Sequence, residues 1–100
     1  MREIKFRAWN KKNKTMMSWD DLASKVMFFE YTDNPDYPWM QFTGLLDRNG
    51  KEIYEFMELD NKWEVDWING KYILRDISSG DIIDLKYENS YEITRDYTKI

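Results

Sequence analysis

Cysteine and histidine are both missing from this sequence of 100 residues. Without thiol or imidazole there is no disulfide, no Cys- or His-based nucleophilic machinery and none of the usual structural zinc sites. Carboxylate chemistry on a bound divalent ion stays open, but a hydrolytic or redox enzyme is disfavoured. Proline occurs twice and glycine four times. The glycines, Gly44, Gly50, Gly70 and Gly80, stand apart from one another, which excludes a glycine-rich phosphate loop. No apolar run approaches the roughly 18 residues of a membrane span, and no continuous hydrophobic region follows the basic start. The expectation is a soluble protein of the cytosol, which the lack of cysteine fits.

What is present is aromatic and charged. Seventeen of the residues are aromatic, five of them Trp, at a mean hydropathy of −0.81. Most of these rings are expected to fill a thin β core. The remainder are expected on a surface, where rings anchor partners or stack on flat ligands. The net charge of −4 divides unevenly: residues 1–17 carry six bases and one acid, and residues 18–100 carry nine bases and eighteen acids. A basic arm thus precedes an acidic body. The arm alone would attract phosphate, or it docks on acids of its own body or of a neighbouring subunit. A chain this short holds one domain, or one with an N-terminal attachment, and a stability margin of about 5–10 kcal/mol.

Residues 3–9 alternate, with Ile4, Phe6 and Ala8 on one side and Glu3, Lys5, Arg7 and Trp9 on the other, which predicts a half-buried strand with its charge outside. The polar residues 10–14 read as a hairpin loop into a second strand over 15–19. Ser18 or Asp20 can cap one or two helical turns over 21–25. The β-branched and aromatic stretch 26–32 reads as a strand. Both prolines fall in 33–38, the clearest breaker in the chain. The domain organisation expected is an N-terminal β lobe with its basic arm (1–32), a linker (33–38) and a β domain (39–100).

Downstream, 39–43 predicts a strand, 47–50 a turn ending in a left-handed glycine, and 53–59 one further strand. Asn69-Gly70 is a strong hairpin signal, since both positions tolerate the positive φ of a type I′ turn. A two-residue loop there pairs Ile68 with Lys71, Trp67 with Tyr72, Asp66 with Ile73, Val65 with Leu74, Glu64 with Arg75 and Trp63 with Asp76. The face holding Trp63, Val65, Trp67, Tyr72 and Leu74 is the expected core face. A turn at 78–81 and strands at 82–87 and 91–95 complete a mainly β chain with at most one short helix. Short strands at such spacing predict a small barrel or roll.

Two segments are more specific than their periodicity. The opening Met1-Arg2-Glu3-Ile4-Lys5-Phe6-Arg7-Ala8-Trp9-Asn10-Lys11, followed by Met16-Met17, resembles the start of the YopX-like proteins of bacteriophages and prophages. The run Met40-Gln41-Phe42-Thr43-Gly44-Leu45-Leu46-Asp47-Arg48-Asn49-Gly50-Lys51-Glu52-Ile53-Tyr54-Glu55 is similar to the same family, in the same order. The resemblance implies a mostly β protein whose C-terminal part is a small SH3-like barrel, made in the cytoplasm of a bacterial host and oligomeric. Where the family typically continues with Gly-Asp and two aliphatics, this chain has Phe56-Met57-Glu58-Leu59. That departure alters the entry to the following strand and can alter a partner surface.

Pairs of acids such as Asp20 with Asp21, Glu64 with Asp66 and Asp81 with Asp84 lack the spacing and glycine of a calcium loop. No catalytic residue, metal site or cofactor is expected. The candidates for binding are Arg2, Lys5, Arg7, Trp9, Lys11 and Lys12 on the arm, with Trp39, Phe56 and Met57 in the body. Cationic and aromatic groups together can hold a nucleotide by stacking and phosphate pairing. Three functions follow: a non-catalytic phage accessory protein that binds and inhibits a host protein, such as a component of anti-phage defence; an oligomer that sequesters a nucleotide immune signal between subunits; or a nucleic-acid-binding β module. The acidic body weakens the last most.

Overall fold

The computed structural model describes residues 5–23 and 36–96. The strand expected over 26–32 and the candidate Arg2 lie outside them. Within the described residues, nine strands and one short helix form two antiparallel sheets. The mainly β class with a small barrel-like body is as expected.

The first sheet holds β1 (Phe6–Asn10), β2 (Thr15–Met17), β3 (Trp39–Leu46) and β4 (Glu52–Tyr54), in the order β2-β1-β3-β4. β1 and β2 are the expected hairpin, with Asn10 opposite Thr15. Its loop is closed by the Asn10 side chain, whose Oδ1 accepts the Lys12 and Asn13 N–H groups at 3.0 and 3.1 Å. After β2 the chain turns into α1 (Trp19–Ala23). Ser18 is its cap: Ser18 Oγ accepts the Asp21 N–H and Asp21 Oδ2 accepts the Ser18 N–H, a reciprocal capping box. The helix therefore begins two residues before the stretch expected.

β1 also pairs with β3, Arg7 opposite Met40. The Trp9 N–H donates to the Pro38 carbonyl and the Lys11 N–H to the Asp36 carbonyl. The boundary read at 33–38 thus does not set the first strands apart, because they complete the sheet of β3. Tertiary hydrogen bonding outweighs the breaker composition that suggested a linker. Within β3 the register against β4 shifts between Phe42 and Leu46. Gly44 takes φ 89° at this bulge, and the buried Thr43 hydroxyl spans it, donating to the Ile53 carbonyl at 2.8 Å and accepting the Leu45 N–H.

The second sheet is β8-β7-β6-β5-β9, built from β5 (Glu58–Leu59), β6 (Trp63–Ile68), β7 (Lys71–Asp76), β8 (Ile82–Asp84) and β9 (Ile93–Arg95). The strand expected over 53–59 is divided into β4 and β5. The division falls where Phe56 has φ 70°, a left-handed conformation that a strand cannot contain. The β6–β7 hairpin has the expected register at all six pairs, with Asn69 and Gly70 both at positive φ.

One core lies between the sheets, including Met40 and Phe42 of β3, Ile53 and Tyr54 of β4, Leu59, Val65, Tyr72, Leu74, Leu85 and Tyr91. The expected core face of β6 and β7 is corrected at two places. Trp67 stands 46% exposed at the hairpin end, and Ile73, on the opposite face, is almost fully buried. Buried Asp47 ties the sheets together. Its Oδ1 accepts the Asn49 and Lys51 N–H groups and its Oδ2 the Ile93 N–H. Burial alone would raise the Asp47 carboxyl, yet these three donors, helped by Lys51, hold it below its ordinary value.

Candidate functional site

Two surfaces present the groups from which a binding site can be made. The first is a cleft of about 390 Å³ where β1, β4 and α1 meet, lined by Lys5, Arg7, Trp19, Glu52 and Tyr54 among others. Trp19 reaches it because the Ser18 cap starts the helix there, and its ring packs on Phe6, which also meets Trp39 at a centroid distance of 5.7 Å. Lys5 pairs with Glu52 and lies over the Phe42 ring. Arg7 forks onto Asp96, Nη1 to Oδ2 at 3.1 Å and Nη2 to Oδ1 at 2.5 Å, and its guanidinium stacks 4.3 Å from the Tyr54 ring centroid. The Tyr54 hydroxyl donates to Glu52, and burial, with Glu52 beside it, pushes its pKa up to about 12.

The expectation that β1 turns its charge outward is therefore corrected. Arg7 is only 8% exposed, and Trp9 belongs to the core. Both faces of β1 are covered: Phe6 packs under Trp19 of α1 on one, and on the other Arg7 lies over the Tyr54 ring and Trp9 joins the core. The basic arm docks on its own body through Lys5 and Arg7. Among the described residues of the arm, the hairpin tip stays in solvent, with Lys12 and Lys14 exposed and Lys11 half-buried.

The remaining candidates also separate. Trp39 is half-buried against Phe6. Met57 is buried, its sulfur accepting the Tyr54 N–H at 3.3 Å. Phe56 packs at the edge of the core. Its N–H donates to the Val65 carbonyl at 2.8 Å, and the Met57 N–H donates to the Tyr54 carbonyl across the turn. Positive φ at the third turn position suits glycine, the residue that the family resemblance leads one to expect there. Phe56 thus keeps the turn while adding an apolar side chain to the core rim. Among the described residues no three acidic side chains gather as a cation site, and no helix is long and apolar enough to cross a membrane.

The second surface was not among the sequence candidates. Trp67, Ile77, Ile82, Ile83 and Tyr87 are large apolar side chains between 45% and 57% exposed, and all lie between β6 and the segment that follows β8. β8 is the outer strand of its sheet and all three of its residues are exposed. Beside it, Trp67, Tyr72, Leu85 and Lys86 line a groove of about 350 Å³, with the Trp67 and Tyr72 rings edge to face at 4.5 Å. The one signal for this surface in the sequence is Asp-Ile-Ile-Asp at 81–84, where adjacent isoleucines break the alternation of a strand with one solvent face.

A family model described as YopX protein matches residues 23–76, just over half of the chain. The chain belongs to the YopX family. Among solved structures, protein EF1440 from Enterococcus faecalis resembles this YopX chain with a TM-score of 0.65 at 22% identity, over 95% of this chain and 93% of that one. At that identity the likeness establishes a shared fold. No curated protein matches this chain.

Proposed function

We propose that this YopX-family chain acts by stoichiometric binding of a host protein, as a non-catalytic phage or prophage accessory protein directed against a component of bacterial defence. The observation that carries the binding reading is the concentration of five exposed large apolar side chains within residues 67–87. Rings and branched aliphatics left in solvent around one edge of a sheet have the composition of an interface centre, with Trp67 and Ile83 on one face of that sheet and Ile82 on the other. The phage setting rests on the family resemblance. Occupancy of a target needs no turnover, so a chain without cysteine or histidine loses nothing that this role requires.

A second reading has its own observation. The cleft between β1, β4 and α1 sets two cations beside the Trp19 and Tyr54 rings, a combination that suits a nucleotide. Against it, both cations already face carboxylates, Lys5 at Glu52 and Arg7 at Asp96.

Retention of host proteins on the purified chain, followed by mass spectrometry of captured proteins and of small molecules released by heat, tests both. A stoichiometric host protein, lost with Trp67→Ser or Ile83→Ser, supports the first reading. Release of a nucleotide with no protein partner overturns it in favour of the second. Light scattering adds a check, since a nucleotide held between subunits requires an oligomer.

A further inference from the structure

We propose that the free edge of β8 takes up an extended, basic and apolar segment of the partner protein as a sixth strand of the sheet. This rests on the protein-binding role proposed above and names the contact. Among the described residues β8 pairs with β7 alone and lies at the end of the strand order. The Asp76 N–H donates to the Asp81 carbonyl and the Leu85 N–H to the Tyr72 carbonyl, so the backbone groups of Asp81, Ile83 and Leu85 face β7. By the alternation of an antiparallel ladder, those of Ile82 and Asp84 point off the edge.

A strand edge of this kind is normally blunted by lysine, proline, a bulge or a covering element. β8 contains neither lysine nor proline, its pairing with β7 runs without a register shift, and its residues are exposed. Its one charge, Asp84, is engaged by Lys71 at 2.8 Å. Strand addition would satisfy the outward backbone groups. The neighbouring groove at Trp67 and Tyr72 would receive an apolar side chain of the added strand.

Charge decides the occupant. Residues 76–92 carry five acids and a single base, Lys86. Asp81 and Glu88, at the two ends of the edge, are exposed and form no ion pair among the described residues. A segment alternating Lys or Arg with apolar residues complements this edge. A second copy of the chain does not, because it brings the same five acids and single base of residues 76–92 to the seam.

The test uses the full chain with two capped peptides, Lys-Val-Lys-Val-Lys-Val and Glu-Val-Glu-Val-Glu-Val, followed by amide NMR. The expected result is slowed exchange at the Ile82 and Asp84 amides with the basic peptide, which binds at least about tenfold more tightly than the acidic one. Ile82→Pro removes an outward N–H without touching the ladder to β7, and Asp81→Lys with Glu88→Lys reverses the end charges. Each should abolish the preference while the chain keeps its melting temperature. If Ile82→Pro does not fold, the charge reversal alone decides. Peptide shifts away from β8, equal binding of both peptides, or concentration-dependent protection of Ile82 and Asp84 without peptide each overturn the proposal. A captured host protein still held by Ile82→Pro sinks the edge assignment but leaves the binding role intact; capture of no protein sinks the role itself.

Discussion

Arg7 joins the first strand to the far end of the described chain, and its energetics are those of a structural residue. The guanidinium is almost fully buried, forks onto Asp96 and covers the Tyr54 ring, while its Nε has no hydrogen-bond partner. Arg7→Ala would remove a charge-assisted pair and a stacked cation together, a loss of about 2–3 kcal/mol. Chemical denaturation should show that drop, and Asp96→Asn a smaller one because Asp96 is nearly half exposed. Equal stability of Arg7→Ala and the parent would return Arg7 to the list of surface binding residues. Phe56 makes a different prediction. Its left-handed backbone disfavours any side chain, and its ring is offset by packing on the core rim. Truncation removes the ring in both Phe56→Ala and Phe56→Gly, so the two differ by backbone strain alone. The glycine variant should be the more stable by about 1 kcal/mol, the reverse of their order in a regular strand.

At the scale of the element, the β6–β7 hairpin separates stability from contact. Val65 and Leu74 fill the core, whereas Trp67, opposite Tyr72, stands in solvent at the hairpin end. Trp67→Ser should cost less than about 1 kcal/mol in thermal or chemical melts, because half of the ring is already hydrated. Leu74→Ala should cost about 2–5 kcal/mol, because it opens a cavity in the core. If Trp67→Ser is as damaging as Leu74→Ala, the ring is structural and the binding surface loses its centre. This hairpin was legible in the sequence down to each pair, because Asn-Gly sets its own turn and the turn sets the register. Faces were legible only where alternation and burial coincide. β1 defeated that logic: α1 covers its Phe6 face and the core covers the other, so Arg7 and Trp9 alternate correctly yet neither reaches solvent. The exposed surface of β8 left a single faint mark, the adjacent isoleucines at 82 and 83, since being outermost is a property of the sheet order that three residues do not encode. The break at Phe56 was signalled by the family departure, and its physical form, a left-handed phenylalanine, required the backbone.

For the whole molecule, the uneven charge seen in composition becomes a partly closed circuit. Lys5 and Arg7 are engaged by Glu52 and Asp96, so these two bases of the arm neutralise acids of the body, while Lys12 and Lys14 at the hairpin tip stay in solvent. Acids left crowded elsewhere set the response to pH. Burial raises Glu55, and nearby Asp66 adds to it against the Gln41 N–H; burial likewise raises Glu64, with Asp66 and Glu58 adding. Groups raised in the folded chain bind protons more readily there than when unfolded, so they stabilise the fold as pH falls toward and through their folded values. Asp47 has the opposite sign, held low by backbone donors despite burial, and Asp76 and Asp84 are also lowered, by the Ser78 and Ser79 N–H groups and by Lys71 respectively. Their contribution is present above the ordinary aspartate value of 3.8 and is lost as pH drops through their folded values. Stability should therefore increase as pH falls from neutrality toward the ordinary glutamate value of 4.5 and decrease below the ordinary aspartate value of 3.8. Denaturant midpoints across this range check the sequence of signs. Glu55→Gln should exceed the parent at about pH 7 and lose that advantage near pH 4, where the parent's own Glu55 is protonated. A midpoint that falls continuously from neutrality would show that the raised glutamates do not govern this range.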